Sequence, residues 1–216
     1  MKRRFFLGAA ATAAAGASGA ALLAGAGTTD AAALPPGPRG ADGREKFPNV
    51  PLVTHRGERV RFYDDVVAGN KINVINMMYT QCPETCGGTT INLARVQRLL
   101  GERMGRQVHM YSISLDARHD TPAVLARYAE IVGAGAHWTF LTGRPTDIER
   151  IRRALGFVDR DPEVDRDRAS HTGMIRAGND ALDRWVACPG MAAAEQLTQQ
   201  VLWIGGGGEH AVRAAA

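Results

Sequence analysis

The sequence predicts an α/β protein built around a mixed β-sheet that is flanked by helices. Apolar strand-like segments and helix-like segments alternate between residues 71 and 156, a pattern typical of strands joined by helical connections. A hairpin-like segment precedes this region, and a second hairpin and a closing helix follow it. Two cysteines stand directly after the first long apolar strand. Together these observations make the thioredoxin fold the natural candidate, with the first hairpin as an N-terminal addition.

The first part of the domain is expected to hold a hairpin, a buried strand and a helix. Residues 51–54 and 60–63 are short strand candidates, joined by the turn sequence Arg56-Gly57-Glu58. Residues 71–79 form the continuous apolar run of a buried central strand. A helix over residues 89–104 follows, because apolar residues recur there at helical spacing.

Two more strands and two more helices are expected after that. Residues 107–115 and 137–142 have the apolar character of strands. Asp120-Thr121-Pro122 predicts a helix start between them, with a capping side chain and a proline in the first turn. A further helix is expected to begin at Thr146, which forms a capping-box pattern with Glu149.

The last part of the domain is expected to hold a loop, a hairpin and a helix. Residues 159–168 are dominated by charges, which predicts a solvated loop. Residues 172–177 and 182–187 predict a hairpin that turns across Gly178-Asn179-Asp180. A helix over residues 192–204 closes the domain.

Residues 1–33 have the features of an export signal. They combine a basic start, an uncharged stretch that lasts until Asp30, and the small residues Ala31-Ala32-Ala33. Arg3-Arg4, followed by apolar residues, resembles a twin-arginine signal. The alternative is an uncleaved membrane anchor through residues 5–26. Either interpretation places the folded part in the periplasm or on the extracytoplasmic face of the membrane.

The rest of the chain divides into a Pro/Gly-rich tether over residues 34–49, one domain over residues 50–206 and a disordered tail over residues 207–216. The net charge is +4, and removing residues 1–33 takes away three basic residues and one acidic residue to leave +2. This small charge, without a dense stripe of Lys and Arg, excludes a nucleic-acid partner. Three cysteines are also too few for a disulfide scaffold.

Cys82 and Cys86 are the candidate chemical centre. Their spacing places both sulfurs on one face of a helix, and a helix start stabilises thiolates. Thiolates attack disulfides and bind soft metals such as copper in preference to hard cations. Zinc accepts the same ligands, but a structural zinc site normally has four of them. A metal site with redox activity, a purely redox pair and a structural disulfide all remain open.

Four ordered pieces of the sequence carry a family resemblance: Tyr79-Thr80-Gln81-Cys82-Pro83-Glu84-Thr85-Cys86, the segment Ser112-Ile113-Ser114-Leu115-Asp116-Ala117-Arg118-His119-Asp120-Thr121-Pro122, the strand end Leu141-Thr142-Gly143, and His171. In this order, over residues 51–177, they resemble the Sco/SenC family of thioredoxin-fold proteins that handle copper for cytochrome c oxidase assembly. The resemblance implies that Cys82, Cys86 and His171 bind copper, as Cu(I) or Cu(II). It also maps a family aspartate onto Asp116, which could orient a ligand from outside the coordination sphere.

The resemblance implies an exported copper metallochaperone that delivers copper to cytochrome c oxidase subunit II or to another copper-receiving protein. Two positions depart from the family pattern, because Gly87 follows Cys86 and Ala117 follows Asp116 where the family has proline. The solvated loop over residues 159–168 could let His171 close onto the metal and swing away.

Two other functions remain as alternatives. One is a thiol–disulfide oxidoreductase that reduces the cysteines of an apo copper site, in which Cys82 attacks and Cys86 resolves the mixed disulfide. The other is a peroxidase of the peroxiredoxin type, which needs a threonine three residues before its reactive cysteine, whereas Thr80 is two before. The third cysteine, Cys188, is either a buried inert thiol or a resolving partner for the pair.

Overall fold

The computed structural model describes residues 46–82, 85–166 and 173–206, with only the backbone described for residues 85 and 86. The predicted export signal, all but the last residues of the tether, and the tail lie outside these ranges. Within them, no helix is both long enough and apolar enough to cross a membrane.

The described residues form a seven-stranded mixed sheet, as predicted. Its strands are β1 (Pro51–Thr54), β2 (Arg59–Arg61), β3 (Ile72–Met78), β4 (Val108–Ser114), β5 (Trp138–Gly143), β6 (Met174–Asn179) and β7 (Arg184–Pro189). Their order across the sheet is β2-β1-β5-β4-β3-β6-β7. The three inner strands β3, β4 and β5 are parallel, and the remaining pairs are antiparallel. The edge strand β2 is three residues long, and both of its arginines, Arg59 and Arg61, are exposed.

Helices cover both faces of the sheet. They are α1 (Thr85–Leu100), α2 (Pro122–Ile131), α3 (Pro145–Ala154), α4 (Pro162–Arg166) and α5 (Ala194–Ile204), with a π-helical segment at Phe62–Val67 and a 3₁₀ turn at Gly101–Arg103. The start of α2 is as predicted, because Pro122 is its first residue and the Thr121 side chain accepts a hydrogen bond from the Val124 N–H.

Two apolar cores lie on opposite faces of the sheet. Alternate residues of the fully buried strand β3 enter different cores, since successive side chains of a strand point to opposite faces. Val74 and Met78 enter the first core, beneath α1, α2 and α5. Ile75 and Met77 enter the second core, beneath α3 and the π-helical segment. The sheet therefore fixes the position of α1, the helix that carries Cys86.

The first helix begins earlier than predicted. The sequence places it at residues 89–104, whereas α1 spans Thr85–Leu100. Gly101 adopts a φ of 51° and ends the regular helix there. At the other end, Thr89 packs so closely on Gly190 that a Cβ at Gly190 would lie 2.6 Å from the threonine methyl. The residues before Thr89 include Gly87 and Gly88, whose low helix propensity is why the sequence pattern places the start of the helix too late.

The second strand is shorter than predicted. The sequence extends it to residue 63, but Phe62 and Tyr63 belong to the π-helical segment. Both aromatic side chains are buried in the second core. An extended strand would point adjacent side chains to opposite faces, so burial of both in one core requires the helical turn.

The predicted capping box at Thr146 is wrong. Helix α3 begins at Pro145, with Arg144 as its cap residue and without a capping side chain. Proline suits the first helical position, and its presence there places Thr146 inside the helix. Glu149 instead accepts hydrogen bonds from Arg152 at 2.8 Å and from Arg153 at 2.6 Å.

The charged segment 159–168 is not simply a solvated loop. Its described part contains α4, and the Asp165 carboxylate accepts two hydrogen bonds from the Arg152 guanidinium, at 2.6 and 2.8 Å. Asp165 also accepts a bond from the Asp159 N–H at 2.9 Å. The Arg152 side chain holds the pKa of Asp165 well below its ordinary value. This ion pair attaches the segment to α3.

The late hairpin is present, but its turn lies two residues further along. Strand β6 continues through Gly178 to Asn179, where the sequence predicts the turn. Gly178 pairs with Trp185, and the indole ring covers it so closely that a Cβ would lie 2.1 Å from a ring carbon. The glycine is therefore required for cross-strand packing rather than for the turn.

Replacing Asp165 by Asn should lower the melting temperature at pH 7, because the amide removes the charge that pairs with Arg152. The depressed pKa means that this stabilisation is present above the ordinary aspartate value of 3.8 and is lost as pH falls below it. We expect the difference in melting temperature between the wild type and Asp165→Asn to shrink from pH 7 toward pH 3. Glu163→Gln is the control, since its ion pair with Arg166 is exposed. A pH-independent difference would contradict the interpretation.

Candidate functional site

The first cysteine lies in a turn at the carboxyl end of the central strand. Strand β3 ends at Met78, and the Cys82 N–H donates a hydrogen bond to the Tyr79 carbonyl at 3.2 Å. We call residues 79–82 the cysteine turn. The Cys82 side chain is partly buried against the first core. The turn therefore places Cys82 at the carboxyl end of β3, in the connection between β3 and α1.

The second cysteine is in the first turn of a helix. Cys86 is the second residue of α1, where backbone N–H groups have no partners within the helix. These groups and the positive end of the helix dipole favour a thiolate. The Cys86 side chain and the whole of His171 lie outside the described residues. Their convergence with Cys82 therefore stays a prediction. Among the side chains that are described, no three His, Cys, Asp or Glu residues cluster closely enough to hold a metal ion.

A fully buried carboxylate supports the cysteine turn. Asp120 accepts hydrogen bonds from the Thr80 backbone N–H at 3.1 Å and from the Thr80 hydroxyl at 2.5 Å. It also accepts a bond from the Ser114 hydroxyl at 2.5 Å. Ser114 is the last residue of β4, so one carboxylate joins the ends of two neighbouring parallel strands. We call this group the Asp120 clamp.

The sequence points to Asp116 and misses the clamp. Asp116 is half-buried, and its carbonyl accepts the N–H groups of His119 and Asp120 in a turn. Its own N–H donates to the Ser114 hydroxyl at 2.9 Å. A direct role for Asp116 beside a metal stays a prediction. The sequence predicts that Asp120 belongs to a helix cap, but Thr121 supplies the cap and the Asp120 carboxylate points inward. Asp120 and Thr121 are both typical capping residues, and one helix needs only one of them. This surplus is the signal in the sequence that could have revealed another role for Asp120.

A buried polar chain fixes the register of the three parallel strands. The Trp138 indole N–H donates to the Ser112 hydroxyl at 2.9 Å, and this hydroxyl donates to the Asn76 side-chain carbonyl at 2.7 Å. The three residues lie on β5, β4 and β3, and all are buried. A shift of one strand by a residue would break both hydrogen bonds, so these three side chains favour the observed register of the strands.

A third segment approaches the first turns of α1. The Asn92 amide donates to the carbonyls of Gly190 and Ala192, at 2.8 and 2.7 Å. The Gly190 N–H donates to the Gly173 carbonyl at 2.6 Å. We call residues 190–193 the β7–α5 loop. This loop contacts α1 through Asn92, and it contacts Gly173, the residue that precedes β6.

The third cysteine is buried. Cys188 pairs with Ile175 across β6 and β7 and lies in the first core with 3% of its surface exposed. Burial raises the pKa of its thiol, and the positive charge of Arg176 partly opposes this effect. The burial predicted for Cys188 is confirmed, and its inertness stays a prediction.

Replacing Asp120 by Asn should lower the free energy of unfolding by about 2–4 kcal/mol, because buried donors lose a charged acceptor. Thr80→Val should cost less, about 1–2 kcal/mol, since it removes the hydroxyl and keeps the backbone N–H. Urea denaturation of both single variants and the double variant measures the coupling. The double variant should lose less than the sum, because the single changes remove a shared bond. Additive losses would show that the two side chains act independently.

Iodoacetamide at pH 8 should label Cys188 much more slowly in the native protein than in urea, because the thiol is buried and its raised pKa lowers the thiolate fraction. Peptide mass spectrometry over a time course measures the rate at this site. Fast native labelling, or recovery of Cys188 in a disulfide with Cys82 or Cys86, would show that it takes part in the redox chemistry.

Comparison with known proteins gives a family and a set of structural relatives. A model of the SCO1/SenC family matches residues 43–197. The chain is similar to Bradyrhizobium japonicum ScoI with copper bound, with 23% identity over 71% of this chain and 96% of that chain, and a TM-score of 0.57. It is also similar to a SCO1/SenC family lipoprotein from Bacillus anthracis str. Ames, with 18% identity over 73% of this chain and 94% of that chain, and a TM-score of 0.59.

A third structural relative is BsSco, a member of the Sco family of cytochrome c oxidase assembly proteins in which a disulfide switch has been identified. It shares 18% identity over 73% of this chain and 91% of that chain, with a TM-score of 0.58. A search of curated proteins finds no match. The structural relatives confirm the thioredoxin-like fold. Because the family model spans well over half of the sequence, including Cys82, Cys86 and His171, the chain belongs to the SCO1/SenC family.

Proposed function

We propose that this protein is an exported copper metallochaperone that acts in cytochrome c oxidase assembly and binds copper through Cys82, Cys86 and His171. The observation that carries the proposal is the placement of Cys82 in the turn after β3 and of Cys86 in the first turn of α1. Two relatives support it, since the ScoI structure holds copper and BsSco belongs to a family of oxidase assembly proteins.

The proposed ligands suit the transfer of copper better than its permanent retention. Two thiolates and one imidazole form a soft donor set that copper prefers to the oxygen ligands of hard cations. Three protein ligands leave the metal open to a further donor. Ligands of a receiving protein can therefore bind before those of the chaperone leave, so copper is never released into solution. The proposed receiver is the copper centre of cytochrome c oxidase subunit II or of a related copper enzyme.

The surrounding structure supports a fixed first ligand. The Asp120 clamp holds Thr80 by two hydrogen bonds, two residues before Cys82. Residues that position a metal ligand typically affect metal affinity as well as structure. The ion pair between Arg152 and Asp165 attaches the described part of segment 159–168 to α3.

The proposed location follows from the N-terminal sequence. Residues 1–33 would direct export through a twin-arginine-type signal, and residues 5–26 could anchor the protein to the membrane if the signal is not cleaved. Both possibilities place the copper site on the extracytoplasmic side, in the periplasm.

Anaerobic titration with Cu(I) against a chromophoric chelator tests the copper site. We expect one copper ion per chain in the wild type. Cys82→Ser, Cys86→Ser and His171→Ala should each weaken binding by at least about 100-fold, the upper end of the loss that follows removal of a supporting residue. His119→Ala is the matched control, because this exposed histidine lies in a nearby turn. If the three variants bind copper as the wild type does, the proposed site is wrong.

A thiol–disulfide oxidoreductase is the second candidate, and the helix start at Cys86 favours it. The Cys82 thiolate would attack a substrate disulfide, and Cys86 would then displace the substrate as a dithiol and leave a Cys82–Cys86 disulfide. His171→Ala separates the two activities, because it should abolish tight copper binding and leave disulfide exchange intact. A peroxidase gains no support, since the Thr80 hydroxyl donates to Asp120.

A further inference from the structure

A cavity lies at the amino ends of the central strands, away from the cysteine turn. It is lined by Ile72, the first residue of β3, and by Gln107, the residue before β4. Its volume is about 400 Å³, within the range of about 300–1,000 Å³ that is typical of small-molecule sites. Cys82 follows the opposite end of β3, about 20 Å away along the strand. The cavity is therefore separate from the candidate copper site.

The lining of this cavity is positively charged. Lys71, Arg103 and Arg106 line it, whereas no acidic residue of the described part of the chain does. The Arg103 guanidinium forms no ion pair with any residue that the structure describes. Arg106 approaches the Glu102 carboxylate at 3.8 Å, but both side chains are largely exposed, so water screens the pair. The two guanidinium groups are thus available to a negatively charged ligand.

Lys71 adds positive charge from one wall of the cavity. Its ammonium donates to the Asp65 carbonyl at 2.9 Å and to the Tyr111 hydroxyl at 3.4 Å, and both acceptors are neutral. Burial lowers the pKa of Lys71 from 10.5, and the Asp65 carboxylate partly opposes this effect. Since these bonds hold the ammonium in place, Lys71 contributes to the electrostatic potential while the arginines provide the direct contacts.

The rest of the lining combines amide and apolar groups. The side-chain amides belong to Asn70, Gln107 and Asn179. The Asn179 amide donates to the Asn70 side-chain carbonyl at 3.0 Å, which leaves the Asn70 NH₂ group to donate to a ligand. The apolar groups belong to Ile72, Leu182 and Leu202. The cavity thus offers cations and hydrogen-bond donors together with apolar surface.

The ends of two helices account for only part of this positive charge. Helix α1 ends at Leu100, shortly before Arg103, and α5 ends at Ile204, next to Gly205, which also lines the cavity. The carboxyl end of a helix carries a partial charge of about −0.5, so the two ends together offset about one of the three positive charges. A net positive charge remains, and it favours an anion in the cavity.

We propose that this cavity binds the phosphate group of an anionic ligand. The guanidinium groups of Arg103 and Arg106 would contact the phosphate oxygens, because a planar guanidinium presents two parallel N–H donors to two oxygens at once. The apolar part of the ligand would contact Leu182 and Leu202. The headgroup of an anionic phospholipid and a free phosphate share the charged part of this chemistry.

The position of the tether favours a lipid as the source of the phosphate. Lys46, at the described end of the tether, forms an ion pair with Asp183. Asp183 follows Leu182 in the turn between β6 and β7, so the tether joins the domain beside the cavity. A lipid bound there would leave the cysteine turn, at the other end of β3, directed away from the lipid surface.

NMR titration of the full chain tests this site. The ¹⁵N-labelled protein is titrated with sodium phosphate and, separately, with dihexanoyl phosphatidylglycerol below its micelle concentration, at an ionic strength held constant with chloride. We expect the side-chain amide signals of Asn70, Gln107 and Asn179 to shift and to saturate. Tighter binding of the lipid would show that the apolar groups contribute and that a lipid is the source. Equal or tighter binding of inorganic phosphate would identify a soluble phosphate.

Two pairs of charge variants provide the matched comparison. The double variant Arg103→Gln, Arg106→Gln removes two exposed cations from the cavity. The double variant Arg59→Gln, Arg95→Gln removes two exposed cations that do not line it. We expect the first pair to weaken binding at least about 10-fold, because the phosphate loses its charge-assisted hydrogen bonds. The second pair should stay within about twofold of the wild type, since salt screens distant exposed charges.

Two outcomes would overturn the proposal. If neither ligand produces saturating shifts, the cavity binds no phosphate and its arginines serve only the helix ends. If the second pair of variants weakens binding as much as the first, binding reflects the net charge of the chain and the cavity has no specific role. Neither outcome bears on the copper site, which the Cu(I) titration tests separately.

Discussion

The geometry of the candidate site depends on one buried carboxylate. Asp120 accepts three hydrogen bonds, two from Thr80 and one from Ser114, and has no exposed surface. Its partners lie after β3 and at the end of β4, so the clamp joins the two strand ends beside the cysteine turn. A buried charge is costly unless its acceptor sites are filled, and here they are filled by the turn that leads to Cys82. The carboxylate and the turn therefore stabilise each other.

Two further sets of buried hydrogen bonds position the elements around the Asp120 clamp. The chain of Trp138, Ser112 and Asn76 sets the register of the three parallel strands and hence the level at which they end. The Asn92 amide then brings the β7–α5 loop against α1. Elements that are far apart in sequence thus meet around the first turn of one helix. The Asp120 clamp and the Asn92 amide both use buried hydrogen bonds with defined directions, which specify position more closely than apolar packing does.

The sequence predicts the architecture well because the spacing of apolar residues indicates which side chains are buried. The apolar run of β3, the start of α2 at Pro122 and the closing helix were all expected, since each depends on residues close in sequence. Two of the errors come from contacts between residues that are not neighbours in sequence. Trp185 packs over Gly178 and moves the hairpin turn, and Arg152 binds Asp165 in a segment predicted to be a loop. The same limit explains why the sequence identified both cysteines and overlooked Asp120, whose partner Thr80 lies 40 positions away.

The edges of the sheet have a consequence for solubility. At one edge, β2 offers only three residues, and two of them are exposed arginines. At the other edge, β7 ends in Pro189, which has no N–H to donate to another strand. Short, charged or proline-terminated edges deprive a second chain of the backbone groups that it would need to extend the sheet. The fold thereby protects itself against strand-by-strand aggregation.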